Sequence, residues 1–517
     1  MDAPIRLRAV RIRTLCRAWL LLVALAAPAR ADYDLQRLSR LLNEALSAHN
    51  DRRAILSAHV VDLADGRTLF EFSADTPLIP ASVHKVIACS AALNKLGPQF
   101  QFSTRLAISD QDLVLVGDGD PTLGDPKLAK ARGAAEAGSA FDHWAAALLS
   151  ANIRRIPGRL LVDDSIFDDT LVHPSWPTDQ FQEWYEAPIG GLNFADNCVE
   201  VDLTPGARGS TPLLALVPPN SFMTLLDRTQ PAGRAGLAAR RPRDSSQIIV
   251  TGTASRAAHL GPITVSDPGL FTAAALRAAL AERGITIAGP TERRRVTDDA
   301  RRLLPGFREL DAARAPIADA VGRACTDSLG MMAECLFKRT GCAPGRTGSW
   351  SSGAIEVMAY LRSIGVRDDA FVIDDGSGLS RRNRVSARAV TTVLAAAARG
   401  PAASLLYQSL AEAGVSGTLR RRFRTPQLAG RIRAKTGYIN GVRTLAGYVD
   451  TRDGHRLAFA FLYNGTPNTS KLTHCQDAAC SILASLPDIA DASVPAAATR
   501  PATKPAKRRT PASAARK

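Results

Sequence analysis

Alternating hydrophobic and polar positions predict two antiparallel hairpins near opposite ends of the chain. The predicted strands are 55–63 and 67–72 around Asp65-Gly66, and 444–450 and 456–463 around Asp453-Gly454. Asp-Gly favours a tight hairpin turn because glycine tolerates the left-handed backbone. We expect both hairpins to belong to one antiparallel sheet, which about 200 residues of inserted chain interrupt.

Apolar positions with helical spacing predict helices at 35–48, 354–364 and 387–398, which would cover the faces of that sheet. The composition, 46% hydrophobic and 22% charged, is that of an ordinary globular protein and excludes a disordered or polytopic membrane chain. A length of 517 residues suggests more than one domain. The predicted fold class is α/β (α+β).

Residues 1–31 are typical of a cleaved export signal. Five arginines precede the apolar run 18–27, and Ala29-Arg30-Ala31 supplies small residues at the −3 and −1 positions before Asp32. This run falls short of the ~20 residues that span a bilayer, so a membrane anchor is the weaker alternative. Cys16 precedes the apolar run, which does not support a lipoprotein anchor. We predict cleavage before Asp32 and a periplasmic location.

The net charge of +16 is concentrated at the two chain ends. The leader carries six Arg and one Asp, and residues 492–517 carry seven Lys and Arg with no acid, which leaves +4 for the rest. Nucleic-acid binding needs cations clustered on a fold, so we expect no such partner. The Ala/Pro/Thr-rich segment 489–517 is expected to be a disordered basic tail. It could be weakly attracted to anionic envelope polymers or a membrane, or be inert.

Seven cysteines remain after removal of the leader, and an odd number in an oxidising compartment leaves at least one thiol unpaired. Cys475 and Cys480 are the nearest plausible pair. Cys89 lies in an apolar helical run and is expected to be a small buried side chain. The spacing does not determine the connectivity.

Ser82 and Lys85 form the only S-x-x-K motif of the chain. Pro80 suits the first turn of a helix, and a spacing of three places the hydroxyl and the amine on one helix face. Burial and the positive end of the helix dipole both disfavour a charged lysine there. A neutral Lys85 can then take the proton of Ser82 as the oxygen attacks a carbonyl. The alternative is a helix-start serine beside an unrelated surface lysine.

Lys435-Thr436-Gly437 is the only K-T-G of the chain, and Tyr438 and the second hairpin follow it. A lysine and a threonine at a strand edge can hold a carboxylate by charge and hydrogen bonding. The glycine would let that carboxylate and the backbone approach closely. Each motif is weak alone. Together, in this order and beside the proposed sheet, they are the pair found in penicillin-binding proteins and β-lactamases.

With these motifs the chain resembles the D-alanyl-D-alanine carboxypeptidase/endopeptidases of the class C, low-molecular-mass penicillin-binding proteins. The resemblance covers roughly residues 34 to 488 and includes GDGDPTL at 117–123, DSIF at 164–167, NFADN at 193–197 and DGSGLSR at 375–381 with Asn383. It implies a penicillin-binding-protein/β-lactamase-like domain, a central antiparallel sheet flanked by helices. It also implies action on peptidoglycan stem peptides, with β-lactam antibiotics as covalent inhibitors.

The resemblance accounts for the long gap between Ser82 and Lys435. Such proteins carry an inserted domain between the first and second catalytic motifs, with a smaller domain nested within it. We expect a split catalytic domain at 32–96 and 306–488, and an inserted domain at 97–305 with a nested strand-rich part near 198–250.

The second motif, Ser-x-Asn in the family, differs here. Aligning residues 331–338 with the family's helix without gaps places Ser328 at the serine and Gly330 at the asparagine. A second alignment uses Thr326-Asp327-Ser328 but requires two extra residues, so we prefer the first. With glycine in place of asparagine, one hydrogen bond to the substrate's amide oxygen is absent, at a cost of about 0.5–1.5 kcal/mol. Slower turnover is therefore one expectation.

The resemblance implies a role for each matched residue. Ser82 would attack the carbonyl of the penultimate D-alanine, with Lys85 as the proton acceptor. Ser328 would help to protonate the departing amine. Lys435 and Thr436 would bind the terminal carboxylate.

Gly437 and Tyr438 complete the expected substrate-binding residues. Backbone N–H groups of Ser82 and Tyr438 would hold the oxyanion, and water would release the acyl group. Two alternatives stay open: a wall-binding protein that lacks turnover because of Gly330, and a β-lactamase, for which no separate deacylating base is recognisable. The sequence does not distinguish trimming of D-alanine from cleavage of cross-links.

Other chemistries have less support. His84 lies two positions from Ser82, on another face of the helix, and the chain has no G-x-S-x-G elbow. The remaining histidines lack metal-ligand spacing, and no Walker lysine follows the glycine-rich run 117–124. We expect no metal and no cofactor.

Overall fold

The computed structural model describes residues 33–48, 54–134, 136–207, 210–230, 236–466 and 469–488. The predicted leader (1–31) and basic tail (489–517) lie outside these residues. Within the described ranges, no helix is both long and apolar enough to cross a membrane.

Helices and strands follow one another along most of the described chain. The helices are α1 (Leu35–Ser47), α2 (His84–Leu96), α3 (Pro126–Ala131), α4 (Asp142–Ser150), α5 (Pro268–Glu282), α6 (Ile317–Thr326), α7 (Gly330–Thr340), α8 (Trp350–Ser363), α9 (Ala387–Arg399), α10 (Ala403–Ser409) and α11 (Thr469–Ser485). The strands are β1 (Ile55–Asp62), β2 (Thr68–Phe72), β3 (Gln101–Ile108), β4 (Leu113–Val116), β5 (Arg155–Ile156), β6 (Leu160–Asp163), β7 (Cys198–Thr204), β8 (Leu213–Val217), β9 (Thr224–Gln230), β10 (Ala238–Arg240), β11 (Gln247–Thr253), β12 (Ala258–Thr264), β13 (Thr286–Ile287), β14 (Thr291–Arg293), β15 (Arg308–Pro316), β16 (Phe371–Val372), β17 (Arg384–Val385), β18 (Ala411–Glu412), β19 (Ile432–Ile439), β20 (Val442–Asp450) and β21 (Arg456–Asn464).

The two predicted hairpins meet in one antiparallel sheet of six strands, in the order β18-β19-β20-β21-β1-β2. β1 pairs with β21 along its whole length, from Ile55 opposite Asn464 to Asp62 opposite Leu457. The prediction of a single sheet built from both chain ends is therefore confirmed. The observed strand ends differ from the predicted ones by one or two residues.

Alternate residues of the central strands pack against helices on opposite faces of this sheet, because successive side chains of a strand point in opposite directions. On β21, Leu457, Phe459 and Phe461 join the core formed with α1 and α11. Ala458 and Ala460 join the core formed with α2, α6, α7, α8 and α9. Small side chains on this second face let α9 pack closely against the strand. The result is a mixed α/β (α+β) structure, as predicted.

The chain between the hairpins forms a second sheet of five strands, in the order β14-β6-β4-β3-β15. β15 returns antiparallel along β3, from Arg308 opposite Ile108 to Pro316 opposite Gln101. This sheet therefore continues past residue 305, where the insert was expected to end. The strand-rich middle forms two three-stranded sheets, β10-β11-β9 and β12-β7-β8. It runs from Cys198 to Thr264 and so also extends beyond its expected end near 250.

The cysteines of the described residues are present as thiols, and Cys475 and Cys480, the nearest plausible pair in the sequence, form no disulfide. Both residues lie on α11 at a spacing of five, which turns their side chains about 140° apart around the helix axis. Cys89 is fully buried, in contact with Cys325, as expected for a small apolar side chain.

Candidate active site

Ser82 lies in a short 3₁₀ turn, Ala81–Val83, that precedes α2. The S-x-x-K spacing suggested that Ser82 itself is helical, but α2 begins at His84. Ala81 has a left-handed backbone, with a φ of 45°, which is uncommon for a residue with a side chain. This turn brings Ser82 Oγ to 3.0 Å from Lys85 Nζ, so the expected contact forms although the helix starts later.

Protein atoms enclose the Lys85 amine. Lys85 is 3% exposed, and its Nζ also donates to the Ser377 carbonyl at 2.7 Å. Burial lowers the pKa of Lys85 from 10.5 to about 8, while the carboxylates of Glu334 and Asp375 oppose that shift. Lys85 can therefore lose its proton in a mildly alkaline range and act as a base towards Ser82.

The K-T-G residues, 435–437, lie on β19 next to the β20–β21 hairpin. The short strand β18 pairs with β19 only at Arg433 and Ala434. Beyond Ala434, β20 is the one strand of the described chain that pairs with β19. The K-T-G segment is therefore at a sheet edge, as predicted, and the turn at Ala81–Val83 packs against it.

Gly437 allows the sheet to approach the Ser82 turn. A Cβ at this position would lie 2.0 Å from Thr444 Oγ1 and 3.1 Å from the backbone N of Ser82. Thr444 Oγ1 donates to the Pro80 carbonyl at 2.7 Å. The backbone that approaches Gly437 is thus that of the serine turn, and any larger residue would push β19 and β20 away from Ser82.

Lys435 is fully buried behind the second motif. Its Nζ donates to Ser328 Oγ and to the Thr436 carbonyl, both at 2.8 Å. Burial, followed by repulsion from Lys85, lowers the pKa of Lys435 from 10.5 to about 7. Each lysine opposes the charge of the other, so near neutral pH only one of them carries a proton easily.

Ser328 is the residue of the second motif that reaches Lys435. It has a left-handed backbone with a φ of 68°. Thr326 Oγ1 instead donates to the Ser409 carbonyl at 2.6 Å, and Asp327 pairs with an arginine of α6 at 2.5 Å. These contacts support the alignment without gaps, in which Ser328 is the motif serine.

Gly330, the first residue of α7, is close to the chain segment 180–186. A Cβ at Gly330 would lie 3.2 Å from the Tyr185 carbonyl oxygen and 3.7 Å from Ser377 Cβ. The backbone at Tyr185 therefore closes over the position where the resemblance places an asparagine.

These elements surround a cavity of about 450 Å³. Its lining residues are Ser82, Lys85, Gln180, Trp184, Tyr185, Ser328, Gly330, Ser377, Gly378, Leu379, Tyr438, Ile439 and Asn440. Of the predicted substrate-binding residues, Tyr438 lines the cavity and is 58% exposed. Lys435, Thr436 and Gly437 precede Tyr438 on β19: Thr436 is half-buried, and Lys435 reaches the cavity through its contact with Ser328.

Residues 38–486 match the model of the D-Ala-D-Ala carboxypeptidase 3 (S13) family. The chain belongs to that family. It is therefore a hydrolase of the D-Ala-D-Ala carboxypeptidase type. It is 32% identical over 486 residues to the D-alanyl-D-alanine carboxypeptidase of Actinomadura sp. (strain R39), which covers 88% of this chain and 86% of the relative. It is 24% identical to D-alanyl-D-alanine carboxypeptidase DacB of Haemophilus influenzae, with coverages of 88% and 93%.

The S13 chain also shares its fold with a solved structure. The crystal structure of penicillin binding protein 4 (dacB) from Haemophilus influenzae aligns with a TM-score of 0.68 at 23% identity, covering 82% of this chain and 93% of the other. The predicted architecture, a central antiparallel sheet with flanking helices of the penicillin-binding-protein type, is confirmed.

Several groups around Ser82 in this S13 site were not singled out from the sequence. Ser377 contributes its backbone carbonyl, and the run 375–381 gave no indication of which backbone atoms it presents. Trp184 and Tyr185 come from the insert, about 100 residues from Ser82 in sequence. Glu334 is buried on α7, within the run 331–338 that was aligned with the family's helix, but the sequence assigned it no role. Only the fold brings these groups together.

His84, which the sequence argument set aside as a catalytic residue, is fully buried and does not line the cavity. Burial lowers its pKa. Its Cβ lies against Gly378, where an added Cβ would be 2.9 Å away. We regard His84 as a packing residue of the serine turn.

Proposed function

We propose that this S13 protein cleaves the D-alanyl-D-alanine end of peptidoglycan stem peptides through an acyl-enzyme on Ser82. The 3.0 Å contact between Ser82 Oγ and the buried amine of Lys85, in a cavity that also holds Ser328, carries this proposal. The family and the name of the Actinomadura relative support the substrate class.

Acylation uses the hydroxyl and the two lysines. Ser82 Oγ attacks the carbonyl carbon of the penultimate D-alanine while its proton passes to the neutral Lys85 amine. Ser328 relays a proton to the nitrogen of the departing D-alanine as the peptide bond breaks. Thr436 and the charge of Lys435 bind the terminal carboxylate. Water then hydrolyses the ester on Ser82.

Substrate binding changes the pKa values of Lys85 and Lys435 in opposite directions. In the free site burial lowers the pKa of both lysines, and repulsion from Lys85 lowers that of Lys435 further. A carboxylate bound near Thr436 raises the pKa of Lys435. The resulting positive charge on Lys435 lowers the pKa of Lys85 by repulsion. The substrate thereby frees the Lys85 amine to act as the base.

The oxyanion hole is assigned to the backbone N–H groups of Ser82 and Tyr438. The Ser82 nitrogen lies 3.1 Å from the position of a Cβ on Gly437, the residue before Tyr438. The close approach of the two backbones supports placing both donors around one oxygen, where they stabilise the charge that develops in the transition state.

β-Lactams would acylate the same serine, because their amide resembles the scissile bond and the ester formed is hydrolysed slowly. The Tyr185 backbone over Gly330 favours a second candidate, a penicillin-binding wall protein whose release step is impaired. We assign the cavity to both terminal D-alanine removal and cross-link cleavage, since each reaction breaks the same kind of bond.

We further propose a periplasmic protein, exported by the leader 1–31, with a basic tail at 489–517 that is attracted to anionic envelope polymers or a membrane. Both segments lie outside the described residues. Their composition and the bacterial relatives support these assignments.

Intact-mass spectrometry after incubation with a penicillin, together with D-alanine release from a stem pentapeptide, separates the possible functions. An adduct on Ser82 with D-alanine release supports the proposed enzyme. An adduct without release supports the impaired wall-binding protein, and fast loss of the adduct with hydrolysis of the drug indicates a β-lactamase. Absence of any adduct rejects the mechanism.

Two serines of the same polypeptide segment provide a matched pair of variants. Ser82→Ala should abolish both the adduct and D-alanine release. Ser90→Ala, at a buried serine further along α2, should retain both. Retention of the adduct in Ser82→Ala would place the nucleophile elsewhere.

A further inference from the structure

Glu334 on α7 is a fully buried carboxylate that the reaction steps above do not use. Its Oε1 accepts the Ser377 N–H at 2.6 Å. Its Oε2 accepts the Gly376 N–H at 2.9 Å and the Trp350 indole N–H at 2.8 Å. Three donors satisfy the carboxylate and fix its position.

The loop that carries Ser377 is packed between α7 and the Ser82 turn. A Cβ at Gly376 would lie 2.8 Å from the Ala333 carbonyl of α7, and one at Gly378 would lie 2.0 Å from the Ala81 carbonyl. The loop thus contacts α7 and the Ser82 turn through the backbone of its glycines. Side chains at either glycine would separate α7 from the nucleophile.

Ser377 connects Glu334 to the catalytic base. Its N–H donates to Glu334, and its carbonyl accepts from Lys85 Nζ at 2.7 Å. A neutral amine has two N–H bonds and one lone pair. When one N–H bond is committed to the Ser377 carbonyl, the lone pair can be directed at the hydroxyl proton of Ser82, 3.0 Å away.

We propose that Glu334 is a positioning residue for the reaction: it holds the Ser377 peptide so that the Ser377 carbonyl orients the Lys85 amine towards Ser82. This inference rests on the proposed roles of Ser82 and Lys85. Glu334 itself does not touch the substrate cavity.

Glu334 also acts on Lys85 through its charge. The other titratable groups around Lys85 come from every neighbouring element: His84 and Cys89 of α2, Cys325 of α6, Asp375 of the 375–380 loop and Lys435 of β19. Glu334 is the largest influence that raises the pKa of Lys85, ahead of Asp375. Burial in turn raises the pKa of Glu334 to about 7, while its hydrogen bonds from Ser377, Trp350 and Gly376 favour the ionised form.

Glu334→Gln tests both effects. Glutamine keeps the shape but has only one acceptor oxygen for three N–H donors. We expect the rate of Ser82 acylation by a penicillin to fall by about tenfold or more. We also expect the acid limb of its pH–rate profile to move to lower pH, because loss of the anion lowers the pKa of Lys85. If the substitution only loosened the packing, water would reach Lys85 and raise its pKa, and the acid limb would move to higher pH.

Asp163→Asn is the matched control. Asp163 is also buried and holds a backbone N–H, that of Val296, and the Thr297 hydroxyl, but it lies on β6 of the second sheet. Its variant should lower the unfolding temperature and leave the acid limb in place. Glu334→Asp keeps the anion on a shorter side chain, and we expect a slower rate with an acid limb near that of the wild type.

The outcomes separate this inference from the proposed function. A wild-type protein without an adduct on Ser82 overturns both. A wild-type adduct combined with an unmoved acid limb in Glu334→Gln, or an acid limb moved to higher pH, overturns the positioning role alone. Should Glu334→Gln not fold, a wild-type acylation rate in Glu334→Asp overturns it.

Discussion

At the scale of single residues, the active site has a glycine where the resemblance places an asparagine. It also contains two buried lysines, Lys85 and Lys435, whose pKa values are lowered by burial. Gly330 occupies the asparagine position of the second motif, and the Tyr185 carbonyl lies 3.2 Å from where its Cβ would be. Ser328 still reaches Lys435 at 2.8 Å. The second motif therefore keeps a serine in contact with Lys435, while Gly330 has no side chain that could bind a substrate amide.

Gly330→Asn should accelerate D-alanine release from a stem pentapeptide about twofold to tenfold, because it restores a hydrogen bond worth about 0.5–1.5 kcal/mol. Gly330→Ala is its control: the methyl group meets the same Tyr185 carbonyl but cannot donate, so release should not exceed the wild-type rate. Steady-state assays of both variants decide the question. Equal rates for the two would show that the missing amide does not limit turnover.

The proposed exchange of a proton between the lysines predicts a dependence on the substrate carboxylate. For a peptide ending in D-Ala-D-alaninamide, the acid limb of kcat should lie near the free-site pKa of Lys85, about 8. For the same peptide with a free carboxylate it should lie at lower pH, because a charged Lys435 lowers the pKa of Lys85. Identical acid limbs for the two peptides would contradict the exchange.

At the scale of elements, a tryptophan connects the segment after β6 to the loop that carries Ser377. Trp176, from the segment after β6, donates its Nε1–H to Asp375 at 2.9 Å, and its ring lies 5.8 Å from that of Trp350 in an edge-on arrangement. Asp375 in turn accepts the Gly378 N–H at 2.8 Å. The segment after β6 thereby contributes to the position of the loop that carries the Ser377 carbonyl.

Trp176→Phe should lower the free energy of unfolding by about 1.5–3 kcal/mol, the value of a hydrogen bond to a charged group, and should slow acylation. Trp144→Phe is the control, since the Trp144 indole N–H has no hydrogen-bond partner among the described residues. Its smaller cost should arise from packing alone, with an unchanged acylation rate. Denaturant unfolding and acylation kinetics test the pair, and equal acylation rates would remove the proposed coupling.

At the scale of the whole molecule, residues from both ends of the described chain build the sheet that carries K-T-G, and the chain between them builds the other sheets. The division into a split catalytic domain and an inserted domain stays a prediction. β15 pairs with β3, so residues 308–316 belong to the second sheet and α6 follows them. Independent expression of 97–316 and its thermal unfolding would test that division.

Removal of 489–517 should leave acylation unchanged, because the site is built from residues 80–444. It should reduce sedimentation with anionic lipid vesicles at low salt, since the seven cations of the tail are removed. In the full chain, added salt should have a similar effect by screening. If the full and shortened chains sediment equally with the vesicles, the tail does not attract the protein to anionic surfaces.

The sequence by itself determined the elements whose signals are local. Hairpins with Asp-Gly turns, amphipathic helices and the short spacing of Ser82 and Lys85 depend on neighbouring residues, so their pattern is visible in one dimension. S-x-x-K and K-T-G in this order indicated a penicillin-binding protein or β-lactamase, and four further runs indicated the family. The resemblance implied the insert, which accounts for the separation of Ser82 and Lys435 by 353 positions.

Tertiary structure alone decided which distant atoms meet at the serine. The Ser377 carbonyl, the Tyr185 backbone and the Glu334 carboxylate reach the site through packing of a loop, an insert and a helix whose sequences carry no shared signal. The pKa values of the two lysines likewise depend on burial and on charges that only the fold assembles. Chemistry of this kind is set by distances across the core, which residue spacing along a chain does not encode.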